Sequence, residues 1–475
     1  ANTRYRRCRW CLGWRKWISI FYQIIMIKKV FILATLFWLS LMTVWFFQNR
    51  WLPLGFDHGV YAHLINRIEQ SGFLSNLPSY LRHQYEPFSG VFFYNLNTFI
   101  GRDYLYGWLY LGIYLLTGLS IFILGKNKKH YTLGAIFWIL LFLFSTLQYF
   151  NLFWSFGKQI FATFFLILFL RYQKKYVVAS FFLIACISLH RLTGFLAIIF
   201  LWASFFTSQR KMPLQSLCPL IPIFIGALPY LLDNSFFFQI QPILRNKVEN
   251  LFMISGNHGT WFSKGNFMYF EIPSIIIFIF WGLYFFKKNI TKNILYNPLV
   301  IIFSVITLMV FFRSIAHSRL QSFFDLFLIL IMTKFLFEYI KIKWLVVLVI
   351  IQAILWLSFA SRWHEPYISQ YENTIIKNIT QDIPKQVKIF SFTPGYNSWL
   401  KRYTAAEIYS PGSREKFKKI SHDRNELCSY LELLWGNIYI YIGEHEYVAS
   451  TVKNPCLKTI HEWGNGSKLL NYSSK

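Results

Sequence analysis

The residues that could do chemistry fall into four short groups. The first is Gly55-Phe-Asp57-His58-Gly-Val-Tyr61-Ala-His63, just after an apolar run. Val60, Leu64 and Ile68 share helical spacing, so Asp57 precedes or caps an amphipathic helix. A carboxylate there can also take a proton from an attacking hydroxyl, with His58 and Tyr61 beside it as substrate contacts. The second group, Arg82-His-Gln-Tyr-Glu86-Pro, offers Glu86 as a second acid or metal ligand, against the plainer reading of a solvated loop carboxylate. The third is His190-Arg191 between two apolar runs, where Arg191 needs a polar ligand or must reach toward the lipid interface. The fourth is Arg313-Ser-Ile-Ala-His317-Ser-Arg319. Two arginines and a histidine in a tight turn can grip phosphate oxygens, since guanidinium geometry is bidentate, and lipid-headgroup anchoring is the competing role. Lys158 and His258 complete the candidates.

Carboxylates thus come early in the chain and cations late. That order suits a neutral nucleophile and an anionic leaving group: Asp57 takes the proton, while Arg313, Arg319, Arg191 and Lys158 stabilise a departing phosphate. Cys8 and Cys11 form one C-x-x-C in a basic tail with no further ligands nearby, which argues against zinc. Cys428 and Cys456 fall in the C-terminal segment, where a disulfide is one of two open readings.

The elements that must position these groups read as membrane helices. Only 14% of the 475 residues are charged, while 55% are hydrophobic and 21% aromatic, against about 25% charged in an ordinary soluble domain. Eleven apolar runs, from Val30–Phe47 to Trp344–Phe359, predict an all-α polytopic membrane protein with about 11 transmembrane helices. The formal charge of +28 sits in short basic loops between the runs, among them Lys126/Lys128/Lys129, Arg171/Lys174/Lys175 and Lys287/Lys288/Lys292. Such loops follow the positive-inside pattern and argue against nucleic acid as a partner. The expected organisation is a basic cytoplasmic tail over 1–29, a transmembrane domain over 30–360 with an outer loop over 48–103, and an extracytoplasmic α/β domain over 361–475. The location implied is the plasma (inner) membrane of a cell envelope. Val387–Phe392 and Ile438–Ile442 read as strands of the last domain, and Ser398–Glu407 and Arg414–Trp435 as helical.

This layout resembles the polytopic glycosyltransferases of the GT-C superfamily. The run Gly55-Phe-Asp57-His-Gly-Val-Tyr61 looks like their acidic and aromatic motif after the first span. Leu189-His190-Arg191-Leu-Thr193-Gly resembles a His-containing segment of bacterial members, and Arg313 with Arg319 is similar to their late basic loop. The resemblance implies a sugar donor carried on a polyprenyl phosphate, an unidentified glycan, lipid or protein acceptor, and an inverting displacement with Asp57 as base. Membrane lipids are the implied surroundings. Many members carry an adjacent Asp-Glu pair, where this chain has Asp57-His58 and only Glu86 later. That departure leaves a divalent metal open. The competing readings are a polytopic transporter or flippase for lipids or glycans, and a non-catalytic subunit of a membrane complex.

Overall fold

The computed structural model describes residues 32–45, 58–72, 87–101, 108–125, 139–153, 157–173, 175–207, 298–311, 322–330, 342–362, 368–383, 387–404, 406–411, 414–434, 436–444 and 446–472, with a few single positions beside them. They form a helical unit and an α/β unit. The helical unit contains α1 (32–45), α2 (His58–Ser71), α3 (Pro87–Ile100), α4 (Tyr110–Gly125), α5 (Thr146–Phe153), α6 (Gly157–Tyr172), α7 (Tyr176–Leu189), α8 (Arg191–Thr207), α9 (Pro298–Phe311), α10 (322–330) and α11 (Ile342–Ala360).

Aromatic packing holds this unit together. Trp38 stacks on Tyr114 with centroids 5.6 Å apart, Tyr114 on Phe142 at 4.8 Å, and Trp356 lies edge-on to Phe144 and Tyr149 at 5.4 and 5.7 Å. Such pairs add about 0.5–1.5 kcal/mol each beyond the burial of their surface. Other large apolar side chains, including Val177, Phe181 and Ile354, stay exposed.

The expected polytopic membrane fold is corrected here. Among the described residues, no helix is long and apolar enough to cross a membrane. In two of the runs the apolar stretch continues in sequence while the helix stops at a local break. The run Tyr131–Tyr149 is interrupted at Ser145, and Tyr176–Leu189 ends at His190, whose backbone is extended at φ −153° and ψ 111°. Helices α6 and α7 have 16 and 14 residues, which at about 1.5 Å per residue reach roughly 21–24 Å against a hydrocarbon core of about 30 Å. The transmembrane assignment and the plasma-membrane location that rested on it are therefore not supported.

The α/β unit runs α12 (Gln370–Asp382), β1 (Lys388–Ser391), α13 (Pro394–Tyr403), β2 (Glu407–Tyr409), α14 (Arg414–His422), α15 (Arg424–Glu432), β3 (Ile438–Ile442), β4 (Leu457–Glu462) and β5 (Lys468–Tyr472). The sheet order is β2-β1-β3-β5-β4, with β1 parallel to both β2 and β3 and β5 antiparallel to β3 and β4. Ser369 caps α12 by accepting from the Glu372 N–H, and Asp423 caps α15 through Asn425 and Glu426. Both expected strands are present. Cys428 and Cys456 form a disulfide at a sequence separation of 28. It ties α15 to the turn before β4.

The two units meet where α2 lies on α13. A Cβ on Gly59 would stand 1.7 Å from the Ser398 carbonyl oxygen, so only glycine permits this approach. Asn66 Nδ2 donates to the carbonyls of Lys401, Arg402 and Thr404 at 3.2, 3.3 and 3.2 Å. The last carbonyls of a helix lack partners within it, and Asn66 supplies one from the neighbouring unit.

Candidate functional site

Helix α2 begins at His58, the residue after Asp57. Its buried face carries Tyr61, Ala62, Leu64, Ile65 and Ile68. Of the expected stripe, Leu64 and Ile68 are buried, and the Val60 side chain lies outside the described residues. His58 is fully buried, and its ring meets Trp399 of α13 edge-on at 4.4 Å. Arg402, 1% exposed, lies over the same Trp399 ring at 5.5 Å. The start of α2 is thus clamped by the α/β unit.

One turn along α2, Tyr61 turns toward the helical unit. It packs on Phe93 at 4.6 Å, and the Lys158 backbone N–H donates to its hydroxyl at 3.5 Å. Lys158 sits in the first turn of α6, whose N–H groups have no partner within the helix. Gly157, which opens α6, is pressed against Tyr110 and Phe93: a Cβ there would stand 2.0 Å from the Tyr110 hydroxyl oxygen.

The next residue, Gln159, leads deeper. Its Nε2 donates to Ser322 Oγ at 2.6 Å. Beside Ser322, Phe323 stacks with His190 at 6.4 Å and 23°. His190 is 3% exposed and covers the start of α8: its Nδ1 lies 2.8 Å from Thr193 Oγ1 and accepts from the Thr193 N–H at 3.4 Å. Three sequence candidates, Tyr61, Lys158 and His190, therefore lie along one seam through α2, α6, α10 and the α7–α8 break, while His58 faces α13. Arg191 is the first residue of α8. Asp57, Glu86, His258, Arg313, His317 and Arg319 lie outside the described residues, as do Cys8 and Cys11. No group of three or more His, Cys, Asp or Glu suited to a metal is found among the described residues.

Asp325, Trp399 and Arg402 fall outside the four sequence groups. Asp325 had a usable signal, since an acid inside the apolar run Leu320–Tyr339 is expensive to bury. It is 2% exposed on α10. Ser145 Oγ and Gln148 Nε2 donate to its Oδ2 at 2.7 and 3.1 Å, and the same Gln148 Nε2 reaches the Ser322 carbonyl at 2.7 Å. Ser145 also accepts from the Gln148 N–H at 3.2 Å, which caps α5. Burial pushes the Asp325 carboxyl up to about 6, against the pull of the Ser145 and Gln148 hydrogen bonds. Trp399 and Arg402 gave no comparable signal, because their role depends on which helix packs against α13. No known family model matches the chain, and no curated protein matches it either.

Proposed function

We propose that the chain moves a sugar from a polyprenyl-phosphate-linked donor to a hydroxyl-bearing acceptor, with inversion and with Asp57 as general base. The acceptor hydroxyl gives its proton to the Asp57 carboxylate as its oxygen bonds to the anomeric carbon. The bond from that carbon to the phosphate oxygen breaks on the opposite face, and the phosphate leaves with the electron pair.

The observation that carries this reading is the apposition of Tyr61 and Lys158, 3.5 Å apart from hydroxyl oxygen to backbone nitrogen although they come from separate parts of the chain. His58, the residue after Asp57 in sequence, opens α2 and packs its ring against Trp399. The starts of α6 and α8 lie along the same seam. Helix starts favour negative charge, typically by about 0.3–1 kcal/mol each. Arg313 and Arg319 are the further cations assigned to the leaving phosphate.

The test replaces Asp57 by Asn in the full chain and follows sugar transfer from a polyprenyl-phosphate donor. The expected result is an unchanged melting temperature with transfer reduced by roughly 10²–10⁴-fold, the usual contribution of a positioned base. Turnover at the wild-type rate would remove Asp57 as base and leave the non-catalytic subunit as the better reading.

A further inference from the structure

Asp325 takes no part in the reaction proposed above, and its surroundings point to a ligand of its own. Both of its described hydrogen bonds, from Ser145 and Gln148, end on Oδ2. Among the described residues no Lys, Arg or His forms an ion pair with it. A buried carboxylate with neutral donors on one oxygen remains short of positive charge.

The same seam holds acceptors in surplus. Gln159, 2% exposed, gives its Nε2 to Ser322 Oγ at 2.6 Å, while its Oε1 is buried with no hydrogen-bond partner. The Gln159 amide is held at Ser322, whose carbonyl takes the Gln148 amide that also binds Asp325. Asn151, 5% exposed, lies three residues from Gln148 and so on the same face of α5, and its Oδ1 is likewise buried without a partner. Buried acceptors almost always find a donor or a cation.

A proton on Asp325 would neutralise the charge, yet it could serve only one acceptor. A cation bound by oxygens serves several at once. Asp325 is the single carboxylate among the described residues of α5, α6 and α10, so a monovalent ion balances the charge and a divalent one would leave an excess. We propose that Asp325, Gln159 and Asn151 together bind a monovalent alkali cation between α5, α6 and α10.

The experiment measures thermal unfolding of the full chain at pH 7.5 in sodium chloride and in choline chloride of equal ionic strength. Sodium should raise the melting temperature by roughly 2–4 °C in a saturable way. Asp325→Asn should lose that dependence. Gln159→Leu, which keeps the carboxyl, should weaken it, and broadening of the sodium-23 resonance by the wild type should fall in the same variant. Equal melting temperatures in the two salts, or sodium dependence that persists in Asp325→Asn, would overturn the site. Dependence on pH without dependence on sodium would assign the compensating charge to a proton and likewise overturn it.

Discussion

Glu372 in the α/β unit and Asp325 in the helical unit are both buried acids, 0% and 2% exposed, and their oxygens are used differently. Glu372 Oε1 accepts from the Tyr441 hydroxyl, and Oε2 accepts from Asn465 Nδ2 at 2.6 Å and from Ser467 Oγ. The donors come from β3 and from the turn between β4 and β5, so one carboxyl ties the first turn of α12 to the sheet. Both described donors to Asp325 end on a single oxygen, and the neighbouring helices α5 and α6 carry buried acceptors, on Asn151 and Gln159, without a partner. A buried acid covered on both oxygens acts as a joint. One covered on a single oxygen leaves capacity for something else.

The largest effect should come from breaking the joint. Glu372→Leu removes an acceptor from Tyr441, Ser467 and Asn465; Asn465 keeps Glu444 Oε2 at 3.1 Å, and each buried donor left without a partner costs about 1–3 kcal/mol. A total loss of about 3–5 kcal/mol is expected, in the range seen when a buried polar pair loses one member. Chemical unfolding of the two proteins measures it. A midpoint within error of wild type would show that Tyr441, Asn465 and Ser467 do not depend on Glu372.

The opposite sign is expected at Asp325. Its folded carboxyl is pushed up to about 6 by burial, from 3.8 in a free side chain. The folded state therefore holds the proton more tightly than the unfolded state. Stability from this group is fully present below the unfolded value and is lost as pH rises through about 6. A shift of that size corresponds to about 3 kcal/mol. Tyr114 on α4, which faces Asp325, is held above its usual range by burial, as is Tyr149 on α5, and both stay neutral throughout that window. In sodium-free buffer, Asp325→Asn should be more stable than wild type at pH 7.5 and lose the advantage at pH 4. A variant less stable than wild type at both values would make Asp325 a second joint and erase the contrast with Glu372.

How much of this could be read in advance depended on how local the cause was. The helix after Asp57 was legible, because Leu64 and Ile68 mark its buried face within fourteen residues. Strand β3 was legible for the same reason, as Ile438–Ile442 alternates within itself. The helix Ser398–Glu407 was misplaced: α13 starts at Pro394, where the ring presets the first turn, and stops at Tyr403. Among the described residues, the runs Tyr131–Tyr149 and Tyr176–Leu189 did not become long helices because a run of apolar residues reports burial without reporting where the helix breaks. Serine and histidine end the runs at 145 and 190 by bonding to backbone or neighbouring side chains. Of the candidate site, the residue types were legible and the clamp was not. Gly59 gives no hint of Ser398, and Asn66 none of the three carbonyls it serves, because each partner is more than three hundred residues away.

The smallest effect tests the ground between the two acids. Glu446, in the loop after β3, accepts from the Gly443 N–H at 3.0 Å. Burial raises its carboxyl above the usual range, the hydrogen bond from Gly443 lowers it, and the negative charge of Glu372 raises it again. It thus borrows its environment from the covered acid while keeping a cost of the uncovered kind. Glu446→Gln keeps an acceptor for Gly443 and removes the charge facing Glu372. Its folded carboxyl being raised, the variant should gain stability at neutral pH, less than Asp325→Asn gains, and the gain should vanish in acid as the wild-type carboxyl takes up its proton. Unfolding both proteins at pH 7.5 and pH 4 measures the difference. A gain that persists unchanged at pH 4 would trace to packing, and the like-charge account of this loop would fall with it.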